Sequence, residues 1–465
     1  MSFPNDRRQD SAFLLQWILG QKLERKGKVA RRKYMLFLMA LFTICGVLLV
    51  QMLGSSGSMK ATLEGIPYEY QPQRLDNVHD EAAPIQVAVS MDDREFQYWE
   101  RVNIEIGNEY PDLEVELTNF NKDEAYESWL QSAQLGGSFD IIVMDNHLVQ
   151  EFAVNGFLLP MDDLYARDSL VDHLKALTEP LLWNGSIWGV PVDSDPIVMV
   201  WNQELLNIVG QKPPATWEGF HSLFTGMSKS NPSLKAVNMH TGSAAHMAAW
   251  LGAFTGSIAE SANLSLFNDV MKAQIRFALM ESSSLDPGHE KAELLQQFRD
   301  GNLLSAVMPW SQYKQLSGEE LNGMNVVSGV PSFSWDGGRS FVVMSQTSQL
   351  QRSRQWINIM TTSSRQLDRY GELGKLPTRH SVYTKEYVSK PIVSRPPNWI
   401  VEPLQQPVFR PDPLWSERWK KWQQLWSSPM LGLSNAEQAE YLIREWNGQE
   451  GRKRRREDAA EGAID

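Results

Sequence analysis

Apolar and polar residues alternate through "PIQVAVSMDD" (84–93), where Ile85, Val87 and Val89 share one side, and this predicts a strand ending in an acidic loop. In "REFQYWERVNIEIGNE" (94–109) the spacing changes, and Phe96, Trp99, Val102, Ile104 and Ile106 form a broad apolar helical face. "PDLEVELTNF" (111–120) returns to strict alternation, a helix is predicted over 123–135, and "FDIIVMD" (139–145) reads as a third strand. A helix over 146–154 ends near Gly156. The order β-α-β-α-β with short loops predicts a parallel sheet with helices on its faces.

Further along, "PPATWEGFHSLFTGMSKS" (213–230) reads as a turn followed by a helix, and 245–253, 262–281 and 287–300 are helical in pattern. "LLSAVMPW" (303–310), "NVVSGVPSF" (325–333) and "RSFVVMS" (339–345) read as short strands. The C-terminal part is helical, with Ser434 and Glu437 placed as a capping box, and the charged tail 451–465 is expected to be disordered. One stretch breaks the pattern. "WGVPVDSDPIVMVWN" (188–202) is apolar enough for a buried strand, yet it carries Asp193, Ser194 and Asp195 in its middle.

Charge is segmented. Residues 1–33 carry nine Lys/Arg against three Asp/Glu, residues 34–54 ("YMLFLMALFTICGVLLVQMLG") carry none, and the rest must hold −18 to reach the total of −12. An apolar run of this length can cross a hydrocarbon core of about 30 Å. The basic flank places the N-terminus in the cytoplasm and the remainder outside. A cleaved signal peptide is the alternative, but the basic region is long and no A-x-A site stands out. A lipoprotein signal is disfavoured because Cys45 lies inside the apolar run. Segment 11–23 has the pattern of a short amphipathic helix or of an ordinary tail. The lone cysteine excludes an intrachain disulfide and a Cys-based zinc site, and no metal or organic cofactor is implied. The acidic outer part argues against nucleic acid as a partner.

Four stretches together resemble the bacterial extracellular solute-binding proteins of family 1, the maltose-binding-protein-like capture subunits of carbohydrate ABC importers. They are "SFDIIVMDNHLVQEFAVNGFLLPMDDL" (138–164), "IWGVPVDSDPIVMVWNQELL" (187–206), "PPATWEGF" (213–220) and "AVMPWSQY" (306–313), and the likeness spans about 84–448. The resemblance implies a two-lobe, type II periplasmic-binding-protein-like α/β fold with hinge crossings, preceded here by one N-terminal transmembrane helix. Together with the charge and hydropathy pattern, which supplies the first two segments, it divides the chain into a cytoplasmic tail (1–33), a membrane helix (34–54), a linker (55–83), lobe 1 (84–192 plus 332–378), lobe 2 (193–331 plus 379–450) and the tail 451–465. It further implies a monomer that holds a carbohydrate, an oligosaccharide by preference, for an ABC transporter permease. A membrane-tethered sensor that signals to a kinase or permease is the rival reading.

Ligands of α/β sheets sit off the carboxyl ends of strands, which selects Asp92 and Asp93 after the first strand, Asp145, Asn146 and His147 after the third, and Trp310 after "LLSAVMP". The resemblance places ligand contacts in the same loops and puts Asp193 and Asp195 at the floor between the lobes. There their carboxylates would accept from sugar hydroxyls; the alternative is that they cap local turns. Trp310 is the foremost stacking candidate, followed by Trp250, Trp415 and Trp419, with burial in the core as the alternative for each. No catalytic motif accompanies the acids, so an enzyme is not expected.

Overall fold

The computed structural model describes residues 83–137, 139–164, 172–254, 267–281, 285–286, 291–316, 324–326, 338–383, 396–405, 415–427 and 434–461. The basic tail, the apolar run 34–54 and the linker as far as residue 82 lie outside these, as do Ser138 and 327–333 of the strand predicted over 325–333. Among the described residues no helix is long and apolar enough to cross a membrane.

Two five-stranded sheets organise the chain. The first contains β1 (Ile85–Val89), β2 (Val115–Asn119), β3 (Ile141–Asp145), β4 (Val190–Ser194) and, from much later in the chain, β10 (Gly338–Val343), in the order β2-β1-β3-β10-β4. β1 pairs in parallel with β2 and β3, whereas β10 is antiparallel to both β3 and β4. The second contains β5 (Ile197–Asn202), β6 (Lys235–Asn238), β7 (Leu285–Asp286), β8 (Leu303–Pro309) and β9 (Met324–Val326), in the order β9-β5-β8-β6-β7. The single apolar run around Asp193 is therefore two strands of two different sheets, and the chain passes between the lobes through Asp195 and Pro196.

Pleating sends alternate residues of the first sheet into two different cores. Ile141, Val143, Phe341 and Val343 pack under α1 (Asp93–Glu109) and α9 (Leu350–Met360). Ile142, Met144, Val342 and Met344 pack under α2 (Lys122–Leu135) and α3 (Asn146–Val154). A sheet covered on both faces explains why "IIVM" is continuously apolar. In α1, Trp99, Val102 and Ile106 are buried, but Ile104 is 66 % exposed because it lies off their stripe.

In the second lobe, α4 (Trp217–Ser228), α5 (Ala244–Gly252) and α6 (Asp269–Met280) pack on one face with α11 (Trp415–Ser427). α7 (Lys291–Arg299) and α8 (Trp310–Lys314) flank β8. α10 (Ser363–Leu373) follows α9, and α12 (Asn435–Glu461) closes the chain. The capping box at its start is present: the Ser434 N–H donates to Glu437 Oε2 at 2.8 Å, and the Glu437 N–H returns to Ser434 Oγ at 3.4 Å. The expected disordered tail is corrected as far as Glu461, because the helix continues through it. Ala, Glu, Lys and Arg propagate a helix readily once a turn exists.

Gly374 ends α10 with φ +77°, and a Cβ there would lie 2.9 Å from the Ser311 Cα at the start of α8. The glycine thus lets the two lobes' backbones meet beside the crossing. Gly374→Ala is expected to lose about 1–2 kcal/mol from the left-handed backbone alone, with the clash added. Thermal unfolding of the full chain should show a midpoint lowered by about 3 °C or more. An unchanged midpoint would contradict this close approach.

Candidate functional site

Register places Asp193 of β4 directly opposite Arg339 of β10. An opposite-charge cross-strand pair follows, and it is bidentate: Arg339 Nε donates to Asp193 Oδ1 at 2.9 Å and Nη2 to Oδ2 at 2.7 Å. The same Nη2 donates to Glu95 Oε1, from the first turn of α1. Arg369 of α10 brings its Nε to 3.9 Å from Asp193 Oδ2 and donates to the Val192 carbonyl at 2.9 Å. Lys375 Nζ lies 2.7 Å from Asp195 Oδ2 and 4.0 Å from Glu95 Oε2. Asp195 also accepts from the Ser311 N–H at 2.8 Å and from Ser311 Oγ at 2.6 Å. Three carboxylates and three cations thus meet where the chain changes sheets.

Burial opposes the charge on Asp193, but Arg339, Arg369 and Lys375 outweigh it and hold the carboxyl below its ordinary range. Burial likewise opposes the charges on Arg339 and Lys375. Asp193 and Glu95 overcome it at Arg339, and Asp195 does most to overcome it at Lys375, so both cations titrate above their ordinary values.

This corrects the expected role of the two acids. Asp193 is 1 % exposed with both oxygens taken by Arg339, and Asp195 is committed to Ser311 and Lys375. They knot the crossing instead of presenting open acceptors. Neither is a simple turn cap.

The other candidates separate by the same test of what each side chain already touches. Asp92 caps α1, accepting from the Glu95 N–H at 2.8 Å, and Asp93 stands exposed beside it. Asn146 is buried, donating to the Leu177 carbonyl and accepting from Ser340 Oγ at 2.6 Å, so it braces the sheet instead of facing a ligand. Trp310 is 3 % exposed, because α8 begins at this residue and the ring packs against Tyr313 and Trp399. Trp250 is fully buried among Trp217, Phe220 and Phe254, and Trp415 is fully buried in the same core. These three tryptophans are core residues.

What the fold does bring together is His147 with Trp419, at a ring separation of 5.5 Å. His147 stands at the carboxyl end of β3 next to exposed Asp145, and Trp419 is partly buried and stacks on Trp415 at 6.1 Å. Burial pushes the His147 imidazole down, with Asp145 and Glu151 opposing more weakly, so the ring is neutral at pH 7. It can then donate through one nitrogen and accept through the other. A partly exposed indole beside a neutral imidazole and a free carboxylate is an arrangement that can hold an uncharged, hydroxyl-rich molecule. Among the described residues no group of three or more His, Cys, Asp or Glu is placed to hold a metal ion.

Sequence reasoning missed Arg339, Arg369, Lys375, Glu95 and Ser311. A signal existed for one of them: Arg339 is the lone charge in the apolar strand "RSFVVM" and needed a buried partner.

A family model described as "Bacterial extracellular solute-binding protein" matches residues 105–395. Among solved structures, the chain is similar to the GacH receptor of Streptomyces glaucescens, studied unliganded and with acarbose or an acarbose homolog. Identity is 16 %, coverage 79 % of this chain and 99 % of that one, and the TM-score 0.60. It is similar to maltose-bound MalE3 of T. maritima at 15 % identity, covering 79 % and 100 %, with a TM-score of 0.61. A solute-binding protein of Agrobacterium vitis S4 with bound D-mannitol matches at 13 % identity, covering 81 % and 99 %, with a TM-score of 0.59. At these identities the likeness is one of fold.

Arg339→Met should cost about 3–5 kcal/mol, the usual penalty for stranding a buried carboxylate. Its pH dependence carries the sign. With Arg339 in place, Asp193 titrates low, so its contribution is present above the ordinary carboxylate value and is lost as pH falls through the depressed one. Without Arg339, protonation relieves the buried charge. The stability gap between wild type and variant, measured by urea denaturation, should therefore narrow from pH 7.5 to pH 4.5. A gap independent of pH would contradict the pairing.

Proposed function

We propose that this chain, which belongs to the bacterial extracellular solute-binding proteins, holds a carbohydrate between its two lobes and delivers it to an ABC-type permease. One observation carries the reading: two α/β lobes are joined at a charge-balanced crossing, and the carboxyl end of β3 sets His147 opposite the partly exposed indole of Trp419. A pyranose offers an apolar C–H face for the indole and hydroxyls for the imidazole and for Asp145. Asp92 and Asp93 border the same end of the first sheet. The solutes in the similar structures, acarbose, maltose and D-mannitol, are polyhydroxylated and support this ligand class. A ligand touching both lobes binds the closed arrangement better than the open one and so drives closure.

In this reading the apolar run 34–54 anchors a monomer to the membrane with its N-terminus inside, and the two lobes, which divide at Asp195 and not at the expected residue 193 because Asp193 and Ser194 still pair in the first sheet, stand outside. An oligosaccharide is the preferred ligand. The same run favours a second reading, a tethered sensor in which closure is reported to a partner kinase or permease. Both share one ligand chemistry.

Intrinsic Trp fluorescence of the full chain, titrated with a panel of mono- and oligosaccharides, should show a saturable change. Trp419→Ala should weaken the best ligand roughly tenfold or more, from lost stacking and apolar cover. Trp310→Ala should instead lower stability. A flat response across the panel from folded protein would sink the carbohydrate reading.

A further inference from the structure

α11 touches more than its own lobe. It is fixed to the second lobe by buried Trp415 and Trp422, and the Trp422 Nε1–H donates to the Ala244 carbonyl of α5 at 3.1 Å. From that base two consecutive side chains reach the first lobe. Trp419 meets His147 of α3. Lys420 places its Nζ 3.0 Å from Glu127 Oε1 of α2 and 3.7 Å from the centroid of the Tyr126 ring.

The receiving surface is firm. α2 is anchored by buried Ala125, Trp129 and Ala133, and the Tyr126 hydroxyl donates to Glu151 Oε1 of α3 at 2.7 Å. That bond ties α2 to α3 and holds the ring as a platform for the ammonium.

We propose that Lys420, gripped by Glu127 and Tyr126, is a latch that holds the two lobes together independently of any ligand. The latch is built to be reversible. The Lys420 and Glu127 side chains are 42 % and 70 % exposed, so water and salt reach the pair. Exposed ion pairs and cation–π contacts are individually weak, enough to shift an open–closed ratio by roughly three- to tenfold, not to lock it. The latch therefore sets how often the lobes part, and with it how readily a solute enters or leaves. It does not rest on the carbohydrate reading, and its test uses no ligand.

The test is a distance measurement between the lobes. The full chain would carry Cys45→Ser and spin labels on Gln134→Cys of α2 and Gln424→Cys of α11, both exposed positions. Pulsed dipolar spectroscopy should find one dominant short separation. Lys420→Glu should raise the long-distance population roughly three- to tenfold relative to the short one. Glu127→Lys added to Lys420→Glu should return the short separation. Raising salt to about 1 M, where the screening length falls to about 3 Å, should mimic the single variant. Identical distributions for wild type and Lys420→Glu would overturn the proposal, as would a long separation already dominant in the wild type. Opening that the double exchange leaves unrepaired would also overturn it and assign the contact to Trp419 packing.

Discussion

The rest of the structure turns on the bidentate bond between Arg339 and Asp193. Asp193 is nearly inaccessible to solvent, and Arg339 and Glu95 are largely buried beside it. A carboxylate so placed needs a cation on the neighbouring strand, and β10 is held in the register that supplies one. That register brings a strand from late in the chain between β3 and β4 and so completes the first sheet. Buried ion pairs add little net stability over well-packed apolar side chains, but parting one strands a buried charge, so the pair ties Asp193 to this register of β10. A one-residue slip would turn Arg339 to the opposite face and leave Asp193 unpaired.

The two acids of "VDSDP" make sense as members of different lobes. Ser194 still pairs with the first lobe, exchanging backbone bonds with Leu376 at 3.0 and 2.7 Å. Asp195 already belongs to the second, holding the start of α8 through Ser311. Pro196 follows, and its carbonyl accepts from the Trp310 N–H at 2.9 Å. A proline has no N–H to continue a ladder, so the strand stops where the chain must change sheets. Lys375 then bridges Asp195 and Glu95, and each acid is neutralised within its own few ångströms.

Local periodicity made the β-α-β-α-β order of the first lobe legible, and most helices began within a few residues of where caps and apolar spacing predicted. The strand after Gly337 was legible as a strand, but its partners were not, because they lie about two hundred and about a hundred and fifty residues earlier in the chain. The tryptophans show the limit most clearly. Trp415 and Trp419 are one helical turn apart on one stripe, yet the first is core and the second borders the other lobe. Nothing local distinguishes them; the edge of the second lobe falls between them. Trp310 and Trp250 look like exposed loop and helix aromatics until Trp399 and Phe220, distant in sequence, cover them. The carboxylates misled for the same reason: Arg339, Arg369 and Lys375 all arrive from the last third of the chain.

The lobes touch in two kinds of contact, and their costs decide how they can move. Separating Lys375 of the first lobe from Asp195 of the second would strand largely buried charge, at about 3–5 kcal/mol. Exposed pairs such as Lys420 with Glu127 part for about 0–1 kcal/mol each, because water replaces the partner. Motion that spares the first and breaks the second is a rotation about the crossing, not a sliding of one lobe past the other. In the proposed reading the aromatic pair of His147 and Trp419 lies on the side that opens. A solute could reach that indole without disturbing a single buried ion pair.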